Sequence, residues 1–381
     1  MDEETRLIHA GRREGLPAAT VGPAIQRGST VLLPSAEALY DGTLGYGRAG
    51  LSAQFALMDA LAELEGASGV ALFPSGLAAV TAAMMAVLKA GDHVLIVDSV
   101  YKPVRLFADH VLARFGVAVD YHDPRLDAGA ILALARPQTR LIVMESPGSL
   151  TFEMQDVAAI AAAARARGIL TLVDNTWAAG RLFKPLAHGA DISVQALTKY
   201  VCGHSDVFMG SAAARDPAVV RALERAVHDH GWSVSPDDAY QALRGLRTLA
   251  TRLERHGESG LRIARWLAGR PEVLRVLHPA LPGDPGHALW SRDFTGACGL
   301  FGFVLAPAHA SRTAAFLDAL ELFGLGFSWG GFESLAIVCD PQLKPRTVAI
   351  DPGGPLIRLH VGLENPDDLI ADLRRGLDAL A

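Results

Sequence analysis

From residue 67 onward, short apolar runs rich in β-branched residues alternate with stretches of helical composition. The apolar runs predict strands at 70–73, 93–97, 117–121, 141–145, 169–173 and 192–197, and the stretches between them predict helices at 77–88, 104–115 and 157–167. This alternation is typical of a mainly parallel sheet that is covered by helices. We therefore expect an α/β fold that binds its ligand at the carboxyl ends of the strands.

The chain has 381 residues, which is longer than most single domains, and half of its residues are hydrophobic. Length and composition together predict two domains with a large buried core. A segment rich in Gly and Pro with little regular pattern comes first, and mixed α and β patterns follow the main alternation. We predict an amino-terminal arm at 1–49, a large α/β domain at 50–245 and a smaller α+β domain at 246–381.

Charge and cysteine usage exclude several classes of protein. The formal charge of −6 argues against binding of nucleic acid, which is held mainly by clustered Lys and Arg. Cys202, Cys298 and Cys339 are too far apart for a zinc knuckle or a disulfide framework. The start is acidic, unlike a signal peptide, and the uncharged run at 68–88 is broken by a Pro-Ser-Gly sequence. We expect a cytoplasmic protein without a membrane span.

An acid and a lysine follow two neighbouring predicted strands. Asp174 comes directly after the strand at 169–173, and Lys199 closes the next one. The two side chains are expected in one crevice, where they form either a buried ion pair or a catalytic site. In a pyridoxal phosphate (PLP) site, the lysine amine condenses with the cofactor aldehyde. The aspartate then keeps the pyridine nitrogen protonated, so that the ring accepts electrons.

A phosphate site belongs to the same hypothesis. Ser75, Gly76 and Leu77 join the strand at 70–73 to its helix, so free N–H groups and the helix dipole point at the crevice. A plain turn with a serine N-cap explains these residues equally well. Thr198 offers a further hydrogen bond, and Tyr101 offers an aromatic face for a flat cofactor, although an ordinary core tyrosine is the simpler interpretation.

Ten segments carry a resemblance that covers nearly the whole chain: GYGRAG (45–50), ELEGASGVALFPSGLAAV (63–80), ESPGS (145–149), DNTWAAG (174–180), TKYVCGHSD (198–206), GLRTLATRLERH (245–256), HPALPG (278–283), RDFTGACGLFGF (292–303), SWGGFES (328–334) and LIRLHVGLE (356–364). With these segments the chain resembles the Cys/Met-metabolism family of PLP enzymes. Within the family it is most similar to the cystathionine β-lyase branch, because γ-acting members tend to carry Asn-Pro after the ESP-type segment and leucine where Trp329 stands.

The resemblance implies a fold and a set of roles. The fold is that of the fold type I, aspartate-aminotransferase-like PLP enzymes, in a homotetramer built from two active-site dimers. Lys199 matches the Schiff-base lysine, Asp174 the partner of the pyridine nitrogen, and Tyr101 the tyrosine that stacks on the ring and takes part in proton transfer. The remaining matches are Ser75, Gly76, Leu77 and Thr198 in the phosphate cup, Tyr46 and Arg48 reaching the phosphate from the neighbouring subunit, Arg358 on the substrate α-carboxylate, and Ser328 and Trp329 lining that pocket.

The expected reaction is β-elimination of L-cystathionine to homocysteine, pyruvate and ammonia. Three positions depart from the family pattern and leave the substrate open. Phe327 stands where a tyrosine is expected, Ala196 where γ-acting members often carry serine, and Lys102 where relatives often place an acid. The alternatives are a γ-acting trans-sulfuration enzyme, which is a γ-lyase, a γ-synthase or an O-acylhomoserine sulfhydrylase, and a cysteine or cystine β-lyase.

Three hypotheses from other classes of protein fit the sequence less well than a PLP enzyme. GYGRAG has the letters of a dinucleotide-binding G-x-G-x-x-G sequence but follows no predicted strand. The sequence that begins at Gly203 lacks the second glycine of a serine-hydrolase elbow. A purely binding protein of this fold is expected to have lost the lysine, and Lys199 is present.

Overall fold

The structure is a computed structural model, and it describes residues 1–12, 20–348 and 350–381. The strands are β1 Gly69–Phe73, β2 His93–Val97, β3 Ala118–His122, β4 Thr139–Glu145, β5 Leu170–Asp174, β6 Ile192–Gln195, β7 Gly210–Ala214, β8 Val273–Leu277, β9 Leu300–Leu305, β10 Gly324–Leu325, β11 Leu335–Val338 and β12 Leu356–His360. The α-helices are α1 Glu3–His9, α2 Ser52–Glu65, α3 Gly76–Val87, α4 Lys102–Phe107, α5 Ala128–Ala133, α6 Val157–Arg165, α7 Pro217–Asp229, α8 Pro236–Arg247, α9 Leu249–Ala268, α10 His287–Asp293, α11 Thr313–Asp318, α12 Asp340–Leu343 and α13 Pro366–Asp378.

The larger sheet has the strand order β1-β7-β6-β5-β4-β2-β3 in the described residues. Its neighbours from β6 to β3 pair in parallel, whereas β7 pairs antiparallel with both β1 and β6. The expected mainly parallel α/β fold is therefore confirmed. The sequence did not indicate β7, since its GSAAA segment lacks the β-branched residues that mark the other strands.

Helices cover both faces of this sheet. Leu61 of α2 and Ile160 of α6 belong to one buried cluster, and Met84 of α3 and Leu223 of α7 belong to the other. Because both faces are buried, the central strands are apolar along their whole length rather than alternating.

The second sheet, with the order β10-β11-β12-β9-β8, lies in the carboxy-terminal part of the chain. Its longer strands pair antiparallel, and α9 and α13 pack on it around Phe301, Phe303 and Leu369. The limits of the predicted arm and domains, at residues 49 and 245, stay predictions. Residues 13–19 of the arm and residue 349 of the second domain lie outside the described part.

The helix predicted at 104–115 differs from the observed one. An α-helix runs over Lys102–Phe107, a π-helical turn follows at Ala108–Leu112, and a 3-10 turn ends the segment at Phe115. The uncharged run at 68–88 forms β1 and α3, as its Pro-Ser-Gly break predicts.

Among the described residues, no helix is both long enough and apolar enough to cross a membrane. The same part of the chain contains no group of three His, Cys, Asp or Glu side chains arranged to hold a metal ion. All three cysteines are buried and unpaired.

Candidate active site

A cavity of about 480 Å³ opens at the carboxyl ends of the larger sheet. Two acids, Glu145 and Asp174, are the last residues of β4 and β5 and line it, and Lys199 follows β6 by four residues. The carboxy-terminal part of the chain closes the other side with Trp329 and Arg358. The acid and the lysine therefore share one crevice, as the strand order predicts.

Lys199 is held by groups that come from far along the chain. Its Nζ donates a hydrogen bond to Ser328 Oγ at 2.9 Å and lies 5.4 Å from the ring centroid of Trp329. Burial, followed by the charge of Arg358, lowers the pKa of Lys199 to about 8, although Asp174 opposes the shift. A substantial fraction of the amine is therefore neutral near physiological pH, which is the form that acts as a nucleophile or a base.

The two acids at the strand ends are direct neighbours. Glu145 and Asp174 are paired in the register of β4 and β5. Both hydrogen bonds from Thr176 go to Oδ1 of Asp174, the backbone one at 3.0 Å, which leaves Oδ2 for another partner. Burial raises the pKa of both carboxyls, that of Glu145 to about 8 with a further contribution from Asp174. A cation that binds between them would favour the ionised form of Asp174.

Tyr101 lines the same cavity and is fixed at its backbone, because its N–H donates to Glu145 Oε2 at 2.7 Å. About half of its surface is exposed, so its ring is available to a ligand. Burial, followed by Glu145 and Asp174, raises the pKa of Tyr101, so the phenol keeps its proton and can donate it.

The amino terminus of α3 faces this cavity with Ser75, Gly76 and Leu77. Ser75 caps the helix, since its Oγ accepts from the N–H of Ala78 at 3.1 Å and its carbonyl accepts from the N–H of Ala79. The first N–H groups of a helix have no hydrogen-bond partner within the helix. The N–H groups of Gly76 and Leu77 are therefore available to a ligand in the described structure. Such groups, with the helix dipole, suit a phosphate.

Two small residues bring this helix close to the strand that precedes Lys199. A Cβ atom at Gly76 would overlap with Ala196, so only glycine fits against that backbone. The hydroxyl that serine would supply at 196 is absent. Thr198 lines the cavity, but its hydroxyl accepts from the N–H of Met209 at 2.9 Å and lies 3.2 Å from the Met209 carbonyl oxygen.

Arg358 is 7% exposed and stands on β12. Its Nη2 donates to the carbonyl oxygens of Phe327 and Ser328 at 2.9 and 3.0 Å, whereas its buried Nε has no partner in the described part of the protein. A buried guanidinium with an unused N–H group is well suited to a carboxylate. Ser328 itself does not line the cavity but contacts Lys199.

Tyr46 and Arg48 lie apart from these residues. They line a separate cleft with Gln54 and Ser235, and both side chains are exposed. Within one chain the structure therefore does not bring this predicted pair to Lys199.

Two further residues of the cavity were not predicted as site residues. Glu145 ends a predicted strand, as Asp174 follows one, so the same strand-end argument applies to it. Arg346 belongs to an irregular segment after α12 and carries no motif.

These features together fit PLP. Lys199 would supply the amine for its aldehyde, Asp174 an acid for its ring nitrogen, Tyr101 an aromatic face, and the amino terminus of α3 a place for its phosphate. The fold and the site thus define a PLP-dependent enzyme of fold type I.

Comparison with known proteins agrees with this class. Residues 4–378 match the sequence profile of the Cys/Met metabolism PLP-dependent enzyme family. The chain is 44% identical to cystathionine beta-lyase MetC of Escherichia coli (98% of this chain, 97% of that one) and 38% identical to an L-alanine/L-glutamate racemase of Wolbachia pipientis (100% and 98%). It also superposes with a TM-score of 0.93 and 30% identity on a cystathionine gamma-lyase of Lactobacillus plantarum, solved with L-serine (100% and 99%). The chain belongs to the Cys/Met metabolism family of PLP-dependent enzymes.

Proposed function

We propose that this enzyme is a carbon–sulfur lyase that converts L-cystathionine and water to homocysteine, pyruvate and ammonia. The observation that carries the proposal is the buried Lys199 amine, whose pKa of about 8 suits a base, beside the carboxylate-binding Arg358. The chain is 44% identical to the β-lyase of Escherichia coli and 37% identical to a cystathionine gamma-lyase of Mus musculus, so it is more similar to the β-lyase.

The bound cofactor supplies an electron sink for the pair of electrons that the Cα–H bond releases. Lys199, in its neutral form, takes the α-proton. Its hydrogen bond to Ser328 Oγ fixes the position of Nζ. Tyr101 keeps its phenol proton at neutral pH and can deliver it to the leaving sulfur.

Substrate orientation is assigned to the opposite side of the cavity. Arg358 binds the α-carboxylate through the N–H groups that its contacts with backbone carbonyls leave free. Trp329 lines the same pocket, and Ser328 lies behind it in contact with Lys199. With its carboxylate fixed, the substrate presents its α-proton to Lys199 in one geometry, which lowers the entropic part of the barrier.

The cofactor is held, in this proposal, by Asp174 at the ring nitrogen and by Ser75, Gly76, Leu77 and Thr198 at the phosphate. Tyr46 and Arg48, exposed and distant from Lys199 in one chain, contact the phosphate of a second copy. The active unit is then a dimer, and we propose a homotetramer of two such dimers in the cytoplasm.

Product analysis tests the reaction. The purified holoenzyme is incubated with L-cystathionine, and the keto acid is identified by chromatography. We expect pyruvate together with one equivalent of homocysteine. Formation of 2-oxobutyrate and cysteine would instead identify a γ-acting enzyme and overturn the proposal.

Racemisation is a second candidate, because a relative named as a racemase is 38% identical over the whole chain. Lys199 as an acceptor and Tyr101 as a donor provide the two groups that removal and return of an α-proton require. Chiral chromatography after incubation with L-alanine tests this activity, and the absence of D-alanine would exclude it.

A further inference from the structure

Arg346 is a cation of the active-site cavity that the proposed mechanism does not use. It lies three residues after α12, in a segment of the carboxy-terminal part that covers the cavity with Pro345 and Gln342. Nη1 of Arg346 donates to Thr151 Oγ1 at 2.7 Å and Nη2 to the Ser149 carbonyl oxygen at 2.5 Å. The guanidinium group is therefore fixed against the loop that follows β4.

These contacts orient the group without neutralising it. Among the described residues Arg346 has no ion-pair partner, and both of its hydrogen-bond acceptors are uncharged. Burial lowers the pKa of Arg346, whereas the charges of Glu153, Asp98 and Glu145 oppose that shift. Arginine keeps its charge in such surroundings. A partly buried guanidinium group without a direct ion-pair partner can accept the carboxylate of a ligand.

The comparison with another buried arginine distinguishes a structural role from a binding role. Arg252 also lacks an ion pair in the described structure, but it makes four hydrogen bonds, to Thr248, Tyr200, Val201 and Gly245, and does not line the cavity. A guanidinium group has five N–H donors. The two bonds of Arg346 leave three donors for a ligand, as in the carboxylate-binding Arg358.

The other cationic side chains of the cavity are less suitable than Arg346 for binding an additional anion. Arg105 is paired with the buried Asp98, and Lys199 and Arg358 already have roles at the α-carbon. Lys102 begins α4 and has no described hydrogen bond that fixes its ammonium group. The cavity is also lined by the apolar side chains of Leu106 and Phe327, which cannot bind a charged group. A second carboxylate of a substrate therefore needs a cation in this cavity.

We propose that Arg346 binds a second carboxylate, at the far end of the substrate side chain, and so makes the enzyme selective for amino acids with two acidic ends. This inference rests on the proposed function, in which the thioether cystathionine is such a substrate. Thr151 and Ser149 position the guanidinium group, and Arg358 holds the α-carboxylate.

The experiment compares Arg346→Gln with the unmodified holoenzyme on two substrates. L-Cystathionine carries the second carboxylate, whereas S-methyl-L-cysteine undergoes the same β-elimination without it. We expect KM for cystathionine to rise about 10- to 100-fold, the range for a lost charged hydrogen bond, with kcat/KM for S-methylcysteine changed less than about threefold. Arg221→Gln, an exposed change of the same type on α7, is the matched control.

The results separate the possible roles. An equal loss on both substrates would indicate that Arg346 only supports the loop after β4, and an unchanged KM for cystathionine would exclude the contact; either overturns the inference. If Lys102→Gln shows the selective loss and Arg346→Gln does not, the lysine binds the second carboxylate. Arg346→Lys keeps the positive charge but loses the paired N–H donors of the guanidinium group. This variant is expected to bind cystathionine more tightly than Arg346→Gln and less tightly than the unmodified enzyme.

A binding experiment keeps the inference testable if the enzyme does not cleave cystathionine, an outcome that would contradict only the proposed function. L-α-Aminoadipate and L-norleucine have the same chain length and differ by the terminal carboxylate. Their Kd values are measured by the change in visible absorption of the holoenzyme. We expect tighter binding of aminoadipate, and loss of that preference in Arg346→Gln. An enzyme without the preference, or a variant that keeps it, would contradict the inference.

Discussion

The two sides of the cavity differ in how their charges respond to burial. On the strand-end side, burial brings the pKa of Lys199 down to about 8 and that of Glu145 up to about 8. On the carboxy-terminal side, Arg346 and Arg358 also have lowered pKa values, but a guanidinium group starts so high that it stays charged. The first side can therefore exchange protons near neutral pH, whereas the second can only attract and orient anions.

The difference follows from the residue types as much as from the environment. Partial burial shifts a lysine into the physiological range, but it leaves an arginine a permanent cation. Chemistry and recognition are thus separated within one cavity, and this separation can be tested from both sides.

The largest effect is expected on the strand-end side. Lys199→Ala removes the amine that takes the α-proton, so kcat for cystathionine should fall by at least about 10³-fold. Steady-state assay of pyruvate measures the loss. Lys89→Ala, which removes a lysine outside the cavity, should keep normal activity, and circular dichroism checks the fold of both variants. More than a tenth of normal activity in Lys199→Ala would refute the assignment.

On the carboxy-terminal side, Arg358→Gln should lower kcat/KM by roughly 10- to 100-fold, since it removes a charged contact with the α-carboxylate. The loss should be the same for cystathionine and for S-methylcysteine, because both carry that carboxylate. Parallel kinetics with Arg346→Gln sharpen the contrast between the two arginines. A loss confined to cystathionine would show that Arg358 contacts the far end of the substrate instead.

The smallest effect concerns pH. The base is active when it is deprotonated, and the pKa of Lys199 is lowered to about 8, so kcat should fall as the pH drops below that value. Between pH 8 and pH 7 the neutral fraction, and with it kcat, should decrease about fivefold. A profile of kcat from pH 6 to pH 9 measures this limb. A flat profile from pH 6 to pH 8 would mean that another group takes the proton.

Much of the larger sheet could be predicted from the sequence. The strand predicted at 93–97 has those limits in the structure, and Asp174 and Lys199 line one cavity as the strand-end argument requires. Such predictions succeed because apolar runs and their breaks are local properties of the chain. Strand β7 was not predicted, because its GSAAA sequence lacks β-branched residues, and the π-helical turn after α4 was not predicted either.

Only some residues of the candidate site could be predicted from the sequence. The resemblance supplied roles for Arg358, Ser328 and Trp329, whereas nothing in the sequence marked Arg346. Its importance follows from where the chain folds it, against the loop after β4, and no periodicity encodes that placement. Glu145 could have been found, since it ends a predicted strand in the same crevice.

The sequence by itself determined the order of strands and helices, the acid and the lysine at the strand ends, and the family. Tertiary structure decided which side chains meet. Lys199 contacts Ser328 across 129 residues of chain, and the two arginines reach the cavity from the second sheet and from an irregular segment. The physical reason is that apolar patterning acts over a few residues, whereas burial and pKa depend on every segment that packs around a group.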